Sequence, residues 1–256
     1  MLLAIDAGNT NLTIGVFKGG VPLTRWRLRT IRDQTTDEWG IKLRELFALD
    51  GLSVDQIKGI IAASVVPSLD QPLTDMARRY FKQEIEFVTP ETDTGLQILV
   101  DTPRELGADR IVNGVAAFHK YGGPCVVVDL GTAITFDAIS AKAEYLGGVI
   151  CPGIGMSITG LFTKTARLPM IDFRAPARLI GTNTIDNMQS GLYYGILGMI
   201  DGILERMMAE MGPGTRAVAT GGHAPLITQG SRYLQEADED LTLEGLQIIW
   251  KRTRRK

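Results

Sequence analysis

A chain of 256 residues with 45% hydrophobic and 22% charged side chains has the composition of a folded globular protein, which excludes a disordered or fibrous one. Its formal net charge of −2 gives no general attraction for nucleic acid or an acidic membrane surface. The two cysteines, Cys125 and Cys151, lack the spacing of a metal site and the density of a secreted disulfide framework. Each lies in an apolar stretch, where a free thiol behaves as a small hydrophobe and suits a reducing cytosol. Asp6 interrupts the first apolar run and no basic leader precedes it, while the longest apolar stretch, 191–204, contains Asp201 and is too short to span a bilayer. The expected location is the cytoplasm.

In chain order, Leu2 to Ile5 is a buried-strand run. Leu12, Ile14 and Val16 alternate with Thr13 and Gly15 as a second strand, and Gly19-Gly20 turns into a third strand through Trp26 and Leu28. Thr35 or Thr36 caps a helix whose Trp39, Leu43, Leu46 and Phe47 recur at helical spacing. Residues 59–66 form another apolar strand, followed by a helix through Met76 to Phe81 and a short strand from Ile85 to Val88. The resulting β-β-β-α-β-α-β order is mixed, not the purely parallel Rossmann pattern. After Pro103 a helix carries Ala108, Ile111, Val112, Val115 and His119 on one face. Cys125 to Val128 then reads as a continuous apolar strand, Ile134 to Ala138 as its hairpin partner and Tyr145 to Ile150 as a third strand. Residues 183–211 read as one long helix. Its Gly191, Gly195, Gly198 and Gly202 each lower helix propensity by up to about 1 kcal/mol relative to alanine, so they mark either a close intramolecular or subunit contact or mere tolerance. Ala217 to Thr220 is a last strand, ending at Gly221-Gly222, which either admits a ligand or simply turns into a short helix. The basic ending from Lys251 to Lys256 is expected to be a solvated tail, the alternative being a site for an anionic partner.

The informative feature is a repeated turn. Asp6-Ala7-Gly8-Asn9-Thr10 and Asp129-Leu130-Gly131-Thr132-Ala133 each follow a buried strand, and they stand about half the chain length apart. A carboxylate at a strand end can face a hydrated metal ion, a glycine two positions on lets main chain approach a polyphosphate, and the next Asn or Thr supplies donors. One such turn alone is commonly an ordinary hairpin connection. Two at domain spacing point to a duplicated nucleotide-binding fold of two similar halves, residues 1–103 and 104–256, sharing a cleft. A third element, Gly107-Ala108-Asp109-Arg110, opens a helix, where unpaired N–H groups and the positive helix end favour anions. There Asp109 either stabilises the helix start or accepts a proton from a hydroxyl that attacks a phosphoryl group, with Arg110 holding a substrate carboxylate.

With these elements in order, together with Thr165-Ala166-Arg167-Leu168-Pro169, Gly181-Thr182-Asn183-Thr184 and Thr220-Gly221-Gly222, the chain closely resembles type III pantothenate kinase almost end to end. The Gly-x-Asp-Arg and Gly-Thr-Asn-Thr elements are specific to that family. The phosphate turns are shared with the acetate and sugar kinase/actin-type ATPase superfamily, whose α/β fold has two ribonuclease-H-like halves with mixed five-stranded sheets. The resemblance implies ATP-dependent phosphorylation of pantothenate to 4'-phosphopantothenate, the first step of coenzyme A biosynthesis. It places ATP on Asp6, Ala7, Gly8, Asn9, Thr10, Asn11, Leu12 and Thr13 and on Thr132, with Asp6 directed at Mg²⁺ through water. It assigns Asp129 to a monovalent cation, K⁺ or alternatively NH₄⁺. Gly107, Ala108, Asp109, Arg110 and Thr184 would hold pantothenate, with Asp109 as the base, and a homodimer would complete the substrate site at the subunit interface. One departure is Val100, where many relatives carry a tyrosine. The competing readings are a non-catalytic nucleotide-binding regulator and a kinase of the same superfamily acting on another small hydroxy acid. A third, an actin-like or chaperone-like ATPase, would need large additional subdomains.

Overall fold

The computed structural model describes residues 1–254. The chain divides into two compact units, Met1–Ala116 together with the segment from Leu241 onward, and Ala117–Asp240.

The first unit contains β1 (Leu2–Ala7), β2 (Asn11–Lys18), β3 (Val21–Arg29), α1 (Thr36–Leu49), β4 (Gly59–Ser64), α2 (Pro67–Met76), β5 (Ile85–Phe87), the two-residue β6 (Gln97–Ile98) and the start of α3 (Ala108–Tyr121). Its sheet has the order β3-β2-β1-β4-β5. In the middle, β1 pairs antiparallel with β2 and parallel with β4. A strand covered on both faces should be apolar throughout, and every residue of β1 except Asp6 is fully buried. Helix α1 starts at a capping box in which the Thr35 side chain accepts the Glu38 N–H and the Glu38 carboxylate accepts the Thr35 N–H at 2.8 Å. Its Trp39, Leu43 and Phe47 then pack with Leu3, Ile5 and Ile60 in one core. Pro67 sits in the first turn of α2, where a missing N–H costs nothing, and the helix runs on into a wider turn over Ala77–Phe81.

The second unit repeats the scheme with β7 (Cys125–Leu130), β8 (Ala133–Ile139), β9 (Glu144–Pro152), α4 (Ile154–Lys164), α5 (Thr184–Met211), β10 (Arg216–Thr220) and α6 (Ala224–Thr228). Here β7 pairs antiparallel with β8 and parallel with β10, and β9 lies beyond β8. Both sheets are mixed and five-stranded, as the resemblance implies, the second having the order β10-β7-β8-β9-β6. Cys125 is buried and desolvation pushes its thiol up to about 12, in keeping with a packing role; Cys151 is half-buried, and both are free. No helix among the described residues is long and apolar enough to cross a membrane.

The last helix, α7 (Leu241–Thr253), returns to the first unit and packs on β1, β2 and β4, burying Leu241, Leu243, Leu246 and Ile249. The compact units therefore differ from a division at residues 103 and 104, because this apolar face completes the first core. The basic ending also differs from a solvated tail. Lys251–Thr253 is the last turn of α7, Arg252 pairs with Asp93 at 2.8 Å and Arg254 with Glu86 at 2.8 Å, while Arg255 and Lys256 lie outside the described residues. His119, expected on an apolar face of α3, is exposed near its end. On α5, Gly191, Gly195 and Gly198 are exposed, and a Cβ at any of them would meet nothing within 4 Å, which removes the intramolecular version of the close-contact reading.

Gly59 marks the tightest point of α7 docking, since a Cβ there would lie 1.9 Å from the Trp250 ring. Gly59→Ala should displace that ring and lower stability by about 1–3 kcal/mol, as overpacked cores do. Urea denaturation followed by tryptophan fluorescence measures the loss, and an unshifted midpoint would show that α7 gives way freely.

Candidate active site

The strands that carry the two repeated turns have identical burial. In β1 and in β7 the only residue not fully buried is the carboxylate at the fifth position, Asp6 and Asp129. Burying an ionised carboxylate without partners costs far more than burying an aliphatic side chain gains, so the acid emerges where the strand leaves the sheet. In the first unit Asp6 stands opposite Thr13 across the hairpin, and Gly8 donates its N–H to the Asn11 carbonyl at 3.0 Å. In the second, Asp129 stands opposite Thr135 and the Gly131 N–H reaches the Ala133 carbonyl at 3.1 Å. The first turn is therefore one residue longer, a difference the motif alignment hides. Asn9, Thr10 and Thr132 are exposed at the turn tips, whereas Ala7 and Leu12 are fully buried and offer only main chain.

The Asp129 turn is enclosed by glycines outside the motif. A Cβ on Gly221, whose φ is +93°, would lie 2.6 Å from Asp129 Oδ1, and one on Gly153 would lie 1.9 Å from the Thr132 carbonyl oxygen. The pairing of Gly221 with Gly222 in sequence flagged the first; nothing flagged Gly153. The left-handed glycine therefore lets the strand end of β10 pack directly against the Asp129 carboxylate and the Leu130 main chain, which lie within 2.8 Å of where a Cβ would stand. His223, which follows, stands edge-on to Phe173 with ring centroids 5.7 Å apart.

Asp109 and Arg110 belong to the same unit as Asp6. The Val65 N–H donates to the Ala7 carbonyl at 3.1 Å, and a Cβ on Gly107 would lie 3.5 Å from Val65 Cγ1, so the start of α3 is linked to the end of β1 through one residue. The Gly107 position explains its own identity. A Cβ there would approach Asp109 Oδ1 to 2.5 Å, so a larger residue would have to displace the carboxylate from the place it takes over the bare main chain. Asp109 accepts the Arg110 N–H at 2.8 Å. Burial pushes its carboxyl above the ordinary value, against the opposing pull of the Arg110 N–H and the Arg110 charge. A half-buried carboxylate with raised proton affinity beside a guanidinium can accept a proton from a bound hydroxyl.

Thr184 is the exposed first residue of α5, in the second unit. Asn183 caps that helix by accepting the Asp186 N–H at 2.9 Å, and a Cβ on Gly181 would strike Asn187, so the Gly-Thr-Asn-Thr element is a tight helix entrance. Among the described residues no cluster of three or more His, Cys, Asp or Glu could cage a metal. Sequence reasoning missed Thr30 and Arg32, which lie just beyond β3 and contact the first turn: the Thr30 hydroxyl donates to the Gly8 carbonyl at 2.6 Å and Arg32 Nη2 to Asn9 Oδ1 at 3.1 Å. Neither belongs to a motif, and only the fold brings them to the turn.

The family model described as type III pantothenate kinase matches residues 2–206. A type III pantothenate kinase of Solibacter usitatus is 62% identical over 98% of this chain and 97% of its own length, and one of Koribacter versatilis is 53% identical over 98% and 96%. Among solved structures, component A of (R)-2-hydroxyglutaryl-CoA dehydratase from Acidaminococcus fermentans superposes with a TM-score of 0.56 at 12% identity, over 97% of this chain and 95% of its own, a likeness of fold alone.

Proposed function

This chain belongs to the type III pantothenate kinase family and phosphorylates pantothenate with ATP in the first step of coenzyme A biosynthesis; from that premise we propose how its residues divide the work. The observation that carries the assignment of roles is the Asp109 carboxylate, folded over Gly107 at the start of α3 and linked through Val65 to the Asp6 strand end.

In this reading the turn from Asp6 through Thr13 holds the triphosphate by main-chain N–H groups and the Asn9 and Thr10 side chains, and Thr132 adds a contact from the second turn. Asp6 would take a Mg²⁺ ion through water; bound there, the metal would neutralise charge on the β- and γ-phosphates. Asp129 would hold a monovalent cation, K⁺ or NH₄⁺, by its carboxylate where the strand leaves the sheet. Arg110 pairs with the pantothenate carboxylate, and the main chain from Gly107 and the Thr184 hydroxyl complete the substrate site. Asp109 accepts the proton of the primary hydroxyl as its oxygen bonds to the γ-phosphorus and the bond to the ADP oxygen breaks.

The second subunit of a homodimer would complete the site. Gly191, Gly195 and Gly198 leave an open face on α5, and Leu161, Phe162 and Tyr194 are exposed on α4 and α5, an apolar surface of the kind that marks association. With a net charge of −2 and no helix suited to a membrane among the described residues, we place the enzyme in the cytoplasm without nucleic-acid partners.

Asp109→Asn should retain ATP binding and lower turnover by about 10²–10⁴, the range for a positioned base, in a coupled assay for ADP release with pantothenate and a panel of other hydroxy acids. The sign of the pH effect follows from the raised proton affinity. Asp109 works when ionised, so activity should switch on as pH rises through a value above 3.8, the ordinary one, and that acid limb should vanish in the variant. A limb that persists would belong to another group. Replacing K⁺ by a bulky organic cation should suppress activity in the native enzyme, whereas Asp129→Ala should respond equally to both salts; an undiminished K⁺ response would exclude Asp129 as the ligand. Gly195→Leu should weaken dimerisation by light scattering and lower activity with it, and an intact dimer would put the interface on another face.

A further inference from the structure

We infer that Thr30 and Arg32 are positioning residues that make the first turn a phosphate site, by capping its oxygen atoms and fixing which end of the Asn9 amide is presented to the nucleotide. The inference rests on the reading of that turn as the ATP phosphate loop. A phosphate offers only acceptor oxygens at neutral pH, so a turn that meets one must hide its own acceptors. Here four are taken. The Thr30 hydroxyl donates to the Gly8 carbonyl at 2.6 Å, the Thr30 N–H to the Thr10 carbonyl at 3.0 Å, and the Gly8 N–H to the Asn11 carbonyl at 3.0 Å. The fourth, Asn9 Oδ1, is held by Arg32 Nη2 at 3.1 Å.

This last contact has a direction. A guanidinium has donors and no acceptor, so it can pair with the oxygen of the Asn9 amide and not with its nitrogen. A rotated amide would set NH₂ against NH₂ and lose the bond. Arg32 thereby turns Asn9 Nδ2, a donor, away from itself, and adds a positive charge beside the anion. Because Asn9 and Arg32 are both exposed, water and salt weaken the effect, which sets its scale below that of a buried ion pair.

The test is steady-state kinetics on the full chain, with KM for ATP and for pantothenate measured separately. Arg32→Ala should raise KM for ATP about fivefold and leave KM for pantothenate unmoved, the size expected for one hydrogen bond exposed to solvent. Arg32→Lys, which still donates, should restore most of the loss, and Thr30→Val should raise KM for ATP where Thr30→Ser does not. Coupling identifies the route: in an Asn9→Ala background, Arg32→Ala should add less than twofold. Asn9→Asp keeps the Arg32 contact but turns an oxygen toward the phosphate, so it should cost more than Asn9→Ala, and this comparison holds even if Arg32→Ala fails to fold. A full fivefold effect of Arg32→Ala in the Asn9→Ala background, or Asn9→Asp no worse than Asn9→Ala, would overturn the inference alone. A native enzyme whose rate does not saturate with ATP would overturn both the inference and the reading beneath it.

Discussion

Asp6 and Asp129 end strands whose other side chains are all withdrawn from water, and that contrast governs much of what surrounds them. A strand covered on both faces cannot slip in register, because neighbouring strands and helices fill both of its sides. The ionised group at its end is thereby delivered to a fixed point, while hydration draws it out of the sheet. Each carboxylate then depends on a turn that stays narrow, through Gly8 and its bond to Asn11 in one unit and through Gly131, Gly153 and Gly221 in the other. The glycines act by what they lack: at Gly153 and Gly221 even a methyl group would enter the space of the turn itself.

The same logic sets the character of Asp109. Its carboxylate bends back over Gly107, which withdraws it from water and raises its hold on a proton, while the Arg110 N–H and guanidinium pull the other way. A fully hydrated aspartate would be a weak base, and a fully desolvated one would stay protonated. The first turn of α3 sets the two opposing influences by the way its main chain folds, burial on one side and the Arg110 N–H and charge on the other.

Much of the fold was legible in the sequence because its signals are local. The apolar runs of β1, β4 and β7, the alternation in β2 and β8, the Thr35 cap with Glu38 three residues on, and the long period of α5 each state an element in a few residues. The repeated turn and Gly107 to Arg110 were legible for the same reason. The remainder depends on contacts between distant parts of the chain. Helix α7 was hidden because its role is to cover a sheet begun more than two hundred residues earlier, and Lys251 to Arg254 look like a solvated tail until Asp93 and Glu86 are seen opposite Arg252 and Arg254. Thr30 and Arg32 follow a strand as unremarkable loop residues, and hydrogen bonding back to Gly8, Asn9 and Thr10 is what gives them meaning. The glycines of α5 showed that something was unusual, while only the open space above them excluded a partner within the chain.

The return of α7 to the first unit also bears on the order in which the chain becomes structured during synthesis. Residues 117–240 form a continuous stretch, so that unit has all its parts once they have left the ribosome. The unit translated first must wait for Leu241, Leu243, Leu246 and Ile249 before its core is closed. Until then the surface of β1, β2 and β4 that receives α7 is uncovered, and the nascent chain carries its exposed apolar sheet through most of its own translation. The N-terminal part is therefore the one that chaperones would have to shield, and the unit inserted into it is able to mature first.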